Sequence, residues 1–458
     1  MSRLFPESAS RILPGVLTAI AVLAAGCGGS DSYPSEAKIP PEICNCPAIP
    51  AESVGTVASQ DYQSGAPVDP TLVAANNNFG LSVLNTMLSQ GTPGNPAIGS
   101  VALAETLAAA YNGAAGTTQQ SMAQVLQLGS LSTQQLNAGN AALQGALINP
   151  DPYVTLLIYN SLWAGFGDTP LLDSFDQVMS NDYGTGVENL TSLSVSTDGS
   201  ASLAATNNAE QINGGASFET YRLVDNILGA SSYTALSNTV LTTSAVYFRA
   251  VWTYPFNPAL SVSGTFTTGS GAQTSAMLMT EGIDAPVTQG SNFQVLSLPY
   301  GKNARLTMLL VLPEIGTDLN TVMAGVTAAT IEQWEAEAQV LPVTLTLPRF
   351  TSSSTGSVQS ALTSLGMGVA FDSNNANFSG ILPGAYLDGV LQGAVVSVNE
   401  DGTGVSAPGP VETGPVQTGP TTPLSLGMMF DRPFFYAIRD NQSGELLVIG
   451  VVTDPGSG

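Results

Sequence analysis

The 458-residue chain contains no histidine. This absence excludes Ser-His-Asp and Cys-His catalysis, proton transfer by an imidazole near neutral pH, and the usual histidine-containing zinc sites. No other catalytic constellation stands out, and no group of residues has the spacing of a metal or cofactor site. We therefore predict a protein that is not an enzyme and that has neither a metal nor a cofactor.

Positive charge is also scarce. Lys and Arg number 10 against 34 Asp and Glu, which gives a formal net charge of −24, and Lys38 and Lys302 are the only lysines. Such a surface repels phosphate backbones and other polyanions. We therefore expect no nucleic-acid partner and no binding of a polyanion such as heparin.

The composition is otherwise that of a globular, loop-rich protein, with 43% hydrophobic residues, 48 Gly and 29 Pro. Two arginines precede an apolar run from Ile12 to Ala25, which is long enough for a secretory signal and too short to span a bilayer. We predict that residues 1–26 are a signal peptide and that the chain is exported.

The end of this run, Leu23 to Cys27, resembles the bacterial lipoprotein signal, in which the Cys is acylated and becomes the new N-terminus. Ala24 departs from that pattern, because the usual Leu lies three residues before the Cys. An ordinary signal peptide is the alternative. Gly28 follows where an Asp would favour the inner membrane. We expect a lipid anchor at Cys27 in the cell envelope, with the outer membrane favoured, or an extracellular protein.

Residues 27–68 are rich in Ser, Pro, Gly and Ala and lack apolar periodicity, which is typical of a flexible linker. Cys44 and Cys46 lie within it, too close together for an unstrained disulfide. We assign these two cysteines no chemistry.

Beyond the linker, helical periodicity gives way to strand-like runs. Apolar residues at three- and four-residue steps predict helices over 72–88, 101–111 and 118–128. Runs of β-branched and aromatic residues predict strands over 239–248, 293–298, 306–312, 343–347, 394–398, 434–438 and 446–452. No segment of linker composition interrupts the chain before residue 404. We predict one α+β domain over residues 69–458.

Several segments occur in the order and spacing of one family. The most specific runs from Met428 to Ile438, and Ser397 to Gly404 and Tyr247 to Trp252 lie upstream of it. Further matches are Leu298-Pro299-Tyr300, Leu312-Pro313, Leu347-Pro348-Arg349-Phe350, Leu365-Gly366, Phe378-Ser379-Gly380, Asn78-Phe79 and Tyr111 to Gly116. Over about residues 70 to 455 the chain resembles the serpin family of serine protease inhibitors, as a bacterial, exported, lipoprotein-type member.

The resemblance implies an α+β fold with three β-sheets, eight or nine helices and an exposed reactive loop over about residues 400–424. In such proteins a serine protease attacks the loop as a substrate. The cut loop then inserts as a new central strand while the acyl-enzyme still exists, and the protease is trapped.

The resemblance also implies roles for residues at the top of the large sheet. Glu400, Gly402 and Thr403 fall at the hinge, where the reactive loop begins. Trp252, Arg349 and Glu400 fall at the breach, where the sheet first opens. Arg349 and Glu400 are expected to form an ion pair there.

In the middle of the same sheet, the family's shutter controls opening. Its serines fall on the segment 99–102 of this chain, its Asn on Ser244 and its His on Gln392. Because Gln both donates and accepts hydrogen bonds, we expect a shutter that closes but is weaker. Ordinary core positions without a gating role are the alternative.

The predicted loop favours exposure and disfavours insertion. It contains Gly-Pro-Val-Glu-Thr, nearly repeated as Gly-Pro-Val-Gln-Thr, and Pro408, Pro410 and Pro415 each lack the N–H that a central strand donates. Alternation from Thr403 places small residues on one face, which favours burial. We predict a suicide-substrate inhibitor. The alternative is a non-inhibitory surface protein of the same fold that is cleaved as a plain substrate.

The cleaved bond follows from the length of the family's loop. Counting about seventeen residues forward from Glu400 gives Val416-Gln417, whereas counting back from Pro433 points nearer Thr422. Both positions carry small neutral residues, which fit the pocket of an elastase- or subtilisin-like protease.

Overall fold

The computed structural model describes residues 68–165, 171–190, 200–235, 238–404 and 425–457. The predicted signal peptide and Cys27, Cys44 and Cys46 lie outside these ranges. So does the loop segment 405–424 with the predicted reactive bond Val416-Gln417. No helix within the described ranges is both long and apolar enough to cross a membrane.

The helices expected from the sequence are present as α1, α2 and α3. The side chain of Asp69 accepts a hydrogen bond from the Thr71 amide and Pro70 occupies the first turn, which together begin α1. The α-helices of the described residues are α1 (Pro70–Ser89), α2 (Ser100–Tyr111), α3 (Gly116–Val125), α4 (Thr133–Leu147), α5 (Asp173–Asp182), α6 (Ser200–Glu219), α7 (Leu319–Met323), α8 (Ala328–Glu337) and α9 (Gln359–Leu362).

Each strand expected from the sequence is confirmed, although several strands were not foreseen. The strands are β1 (Ala97–Ile98), β2 (Val154–Ala164), β3 (Val187–Asn189), β4 (Thr239–Val251), β5 (Val262–Thr267), β6 (Gln273–Gln289), β7 (Phe293–Pro299), β8 (Leu306–Pro313), β9 (Gln339–Pro348), β10 (Phe350–Ser357), β11 (Tyr386–Val398), β12 (Gly402–Thr403), β13 (Leu426–Met429), β14 (Phe434–Asp440) and β15 (Leu446–Val452). The expected strands lie in β4, β7, β8, β9, β11, β14 and β15.

The strands form two hydrogen-bonded sets. A six-stranded sheet has the order β10-β11-β12-β4-β2-β3, with an additional direct pairing of β11 with β4. A nine-stranded set has the order β1-β15-β14-β8-β7-β6-β9-β13, with β5 paired to β6. Two of the three sheets that the resemblance implies share β6, because this 17-residue strand pairs with β5, β7 and β9 along its length.

Helix α2 lies in the middle of the hydrophobic core. All of its residues are buried, and it contacts β2 and β4 of the six-stranded sheet and β15 of the other set. Its sequence is mostly Ala, Leu and Val, which explains why no face is left for solvent. Glu105 and Thr106 are polar residues in the middle of the helix, and both are fully buried.

Candidate functional site

The centre of the six-stranded sheet contains two parallel neighbours, β4 and β11. They pair from Thr239 with Tyr386 up to Val246 with Ala394. Above this stretch, β12 lies between them and is antiparallel to both: Thr403 pairs with Val398 of β11 and Ala250 of β4. The sheet is therefore closed along its lower part and has an additional two-residue strand at its top.

Gly402 and Thr403 fit this position because of their size. A Cβ atom on Gly402 would lie 1.9 Å from the Ala250 carbonyl oxygen, so a glycine is required at this close approach. Thr403 is fully buried, and its hydroxyl lies 2.6 Å from the hydroxyl of Tyr300. Gly402 and Thr403 of the predicted hinge are thus held inside the sheet.

Trp252 fixes the chain just before the hinge. Its indole Nε1 donates to the Asn399 carbonyl at 2.9 Å, and its backbone N–H donates to the Asp401 carbonyl at 2.8 Å. The indole stacks on the ring of Tyr300, with 4.4 Å between centroids and 12° between planes. The aromatic pair therefore connects the segment 399–401, which contains Glu400, to Thr403.

Arg349 and Glu400 meet at the same end of the sheet. The guanidinium donates to the carboxylate from Nε at 2.8 Å and from Nη2 at 2.7 Å, and Ser261 donates to the carboxylate as well. The Arg349 side chain is 46% exposed and that of Glu400 only 5%. Although burial alone would raise the pKa of Glu400, the hydrogen bonds from Arg349 and Ser261 outweigh it and lower the pKa.

In the middle of the sheet, three polar residues form one row across the strands. Gln392 of β11 is in register with Ser244 of β4, which is in register with Asn160 of β2. The Gln392 amide accepts from the Gly99 N–H at 3.2 Å and donates to the Ala97 carbonyl at 3.1 Å. The Ser244 hydroxyl lies 3.5 Å from the Leu391 carbonyl, so it is only weakly engaged.

Gln392 also donates to the Ser354 carbonyl of β10, so it connects β10 and β11 to the segment that leads into α2. The third member of the row, Asn160, contacts α2 itself. It donates from Nδ2 to Glu105 Oε2 at 2.8 Å and accepts from the Thr106 hydroxyl at 2.6 Å.

Four residues that form contacts at the top or in the middle of the six-stranded sheet were not singled out from the sequence. Tyr300 appears only as part of a family motif, and Ser261 follows the 3-10 helix Pro258–Leu260 with no distinguishing sequence pattern. Glu105 and Asn160 do carry a signal, since each is a polar residue in a mostly apolar helix or strand. The two residues are hydrogen-bonded to each other but lie 55 positions apart in the chain, so no local sequence pattern could pair them.

The arrangement offers strand pairing rather than bond-making chemistry. At the top of the sheet, backbone donors and acceptors of β4 and β11 pair with β12, and along the lower part the two strands pair with each other. Among the described residues, no group of three His, Cys, Asp or Glu side chains could hold a metal ion.

Curated proteins with similar sequences include a nexin and a serpin. Glia-derived nexin of Mus musculus is 28% identical over 255 residues, which is 54% of this chain and 62% of that protein. The chain thus spans less than two thirds of that relative in the match. Serpin B6 of Pongo abelii is 28% identical over 396 residues, which is 84% of this chain and 99% of that protein.

Solved structures share the fold. The thermophilic serpin tengpin in its native state has a TM-score of 0.74 at 22% identity, covering 87% of this chain and 97% of that one. Native protease nexin-1 with heparin has a TM-score of 0.69 at 23% identity, covering 84% and 100%. The family model described as Serpin (serine protease inhibitor) matches residues 74–455. Because this match includes most of the chain, the protein belongs to the serpin family.

Proposed function

We propose that this protein is a suicide-substrate inhibitor of a serine protease and that its reactive loop, residues 400–424, inserts between β4 and β11 after cleavage. The observation that carries the proposal is β12. Gly402 and Thr403 already pair with both neighbouring strands, so the first step of insertion requires no search for register. Continuation of β12 downward would separate β4 from β11 one residue pair at a time.

The topology supports a favourable free energy for this step. Insertion replaces the parallel ladder between β4 and β11 by two antiparallel ladders, because β12 runs antiparallel to both. Antiparallel pairing is slightly more stable per residue, and the number of ladders doubles. Completing the central strand therefore contributes to the driving force that trapping needs.

The composition of the loop opposes insertion to a similar extent. Each of Pro408, Pro410 and Pro415 removes one ladder hydrogen bond, and a partner carbonyl left dry costs about 1 to 3 kcal/mol. Burial of Val405 and Val411 contributes about 1.5 to 3 kcal/mol each. Since gain and loss are of the same order, we expect slow insertion and a high proportion of plain cleavage.

The target is proposed from the sequence of the loop. The predicted bond Val416-Gln417 lies outside the described residues, as does the alternative near Thr422. The segment 404–424 contains no Arg, Lys, Phe or Tyr, which disfavours trypsin-like and chymotrypsin-like proteases. A serine protease with a small apolar pocket, elastase- or subtilisin-like, fits the loop better.

Incubation of the purified protein with pancreatic elastase and with subtilisin tests the proposal. A band at the summed mass on a denaturing gel, together with a cleaved form that resists heat better than the intact protein, is the expected result. The variant Pro408→Ala, Pro410→Ala, Pro415→Ala should increase the trapped fraction. Cleavage without any summed-mass band would contradict the proposal and favour the non-inhibitory alternative, which the three prolines support.

Location and partners remain proposals from the sequence. We propose a lipid anchor at Cys27, which places the inhibitor at the cell envelope, and no interaction with nucleic acid or heparin because of the net charge of −24. The variant Cys27→Ala should move the protein from the membrane fraction to the soluble fraction. An unchanged membrane fraction would contradict the anchor.

A further inference from the structure

Insertion of a strand between β4 and β11 divides the six-stranded sheet into two halves. One half contains β10 and β11, and the other contains β4, β2 and β3. Helix α2 packs against β2 and β4 of the second half and against β15, and β1, which directly precedes α2, contacts β10 and β11 of the first half. The contacts of the two halves with β1 and α2 therefore resist their separation.

The two halves are attached to the same short segment of chain. Gln392 attaches the first half through Gly99 and Ala97, directly before α2 begins. Asn160 attaches the second half through Glu105 and Thr106, one to two turns into α2. If α2 stays in place when the sheet opens, at least one of these attachments has to break.

The attachment through Glu105 differs from the attachment through Gln392 because it contains an ionisable group. Glu105 is 0% exposed, and its Oε2 accepts from Asn160 at 2.8 Å and from Gln144 of α4 at 3.3 Å. Its Oε1 has no hydrogen-bond partner among the described residues. A negative charge on this carboxylate is therefore poorly compensated.

The titratable groups around Glu105 do not compensate its charge either. Glu445, before β15, and Tyr183, after α5, both interact electrostatically with Glu105, and the cation Arg305 is paired with Asp440, whose charge also acts on Glu445. Burial raises the pKa of Glu105 to about 7, against the hydrogen bonds from Gln144 and Asn160. Glu105 thus loses its proton near neutral pH.

We propose that the contact of Glu105 and Thr106 with Asn160 is a second fastening of the six-stranded sheet, and that loss of the Glu105 proton loosens it and speeds strand insertion. The proposal rests on the proposed function. In the closed sheet, the ionised Glu105 carboxylate is buried away from solvent. Movement of β2 away from α2 admits water to it, so the open sheet is favoured when Glu105 is ionised.

A peptide-annealing experiment tests this without a protease. The probe is a fluorescein-labelled peptide with the sequence of residues 403–413, in which alanine replaces the prolines at 408 and 410. We expect annealing to the purified full-length protein to be up to about tenfold faster at pH 8 than at pH 6, the factor that follows from a pKa of about 7 falling to its ordinary value of 4.5.

Three variants separate titration from packing. Glu105→Gln keeps the shape of the side chain and should remove the pH dependence. Thr106→Val removes only the hydroxyl that donates to Asn160, so annealing should be faster at both pH values with the pH dependence retained. Glu445→Gln removes a second buried carboxyl, which accepts a hydrogen bond from Asn76 of α1, and should leave the pH dependence in place.

Two outcomes overturn the inference: equal pH dependence in the wild type and in Glu105→Gln, or no annealing at either pH. Failure of the proposed function looks different. In that case the annealing results follow the expectations above, but no protease is trapped on a denaturing gel. Trapping together with pH-independent annealing would retain the proposed function and reject the second fastening.

Discussion

The top and the middle of the six-stranded sheet are built differently. At the top, Glu400 is paired with a half-exposed arginine, and β12 already separates β4 from β11. In the middle, the side-chain amides of Gln392 and Asn160 contact the segment before α2 and α2 itself, and β4 pairs directly with β11. The place where a strand would enter is thus fixed by an ion pair and aromatic stacking. The place that resists entry is fixed by side-chain hydrogen bonds to α2 and to the segment directly before it.

The two regions should also respond oppositely to pH. The pKa of Glu400 is lowered, so its stabilising contribution is present above its ordinary pKa and is lost as the pH falls through the lowered value. The pKa of Glu105 is raised, so its contribution is present below 4.5 and is lost as the pH rises through about 7. Acid therefore loosens the top and base loosens the middle.

We expect the largest effect from a substitution at the top of the six-stranded sheet. Thr403→Arg should abolish trapping of an elastase- or subtilisin-like protease, because a guanidinium would have to enter a fully buried site beside Tyr300. The measurement is the summed-mass band on a denaturing gel. Thr403→Ser keeps the hydroxyl and should keep most of the trapped fraction. Undiminished trapping by the arginine variant would show that Thr403 does not enter the sheet.

A pH series measures how Glu105, in the middle of the sheet, affects the stability of the fold. Between pH 5 and pH 8, the wild type should lose about 3 kcal/mol of stability that Glu105→Gln retains, because each pKa unit between 4.5 and about 7 corresponds to about 1.4 kcal/mol. Urea unfolding midpoints at the two pH values measure the difference. If the stability of the two proteins changed in parallel with pH, ionisation of Glu105 would not destabilise the folded state.

Removal of Gln392 breaks the neutral network. Gln392→Leu leaves the Gly99 N–H and the carbonyls of Ala97 and Ser354 without this partner, so we expect a loss of about 2 to 3 kcal/mol in the free energy of unfolding. Gln392→Glu is the matched variant, because it keeps the acceptor and removes the donor. If neither variant lowered the free energy of unfolding by more than the error of the measurement, Gln392 would be an ordinary core residue.

A double-mutant cycle measures the ion pair at the top. Because Arg349 is half exposed, we expect a coupling of about 1 to 2 kcal/mol between Arg349→Ala and Glu400→Ala, less than for a fully buried pair. Urea unfolding at pH 7 gives the coupling, and it should shrink in high salt. Additive effects of the two substitutions would mean that the groups do not stabilise the fold together.

The smallest effect concerns one hydroxyl. Tyr300→Phe keeps the stacking on Trp252 and removes the contact with Thr403, so we expect a loss of about 1 kcal/mol and faster hydrogen exchange at the Gly402 and Thr403 amides. Amides of β11 near Gln392 should be unaffected. Equal acceleration in both places would mean that the top and the middle open as one unit.

Much of the fold and part of the site could be predicted from the sequence. Periodicity located α1, α2 and α3, and β-branched runs located β4 and β11. The resemblance singled out Arg349, Glu400, Gly402 and Thr403, which lie together in the structure; their roles at the breach and hinge remain proposals. The strands β2, β6 and β10 were missed, because polar and small residues interrupt their patterns where they contact other elements.

Local periodicity predicted which segments become helices and strands, because it depends only on near neighbours in the chain. Only the tertiary structure decided that Tyr300 meets Thr403, 103 positions away, and that Glu105 lies dry between α2, α4 and β2. A residue's partners and its pKa depend on the elements packed around it. Those elements come from distant parts of the chain, and no local pattern specifies how they meet.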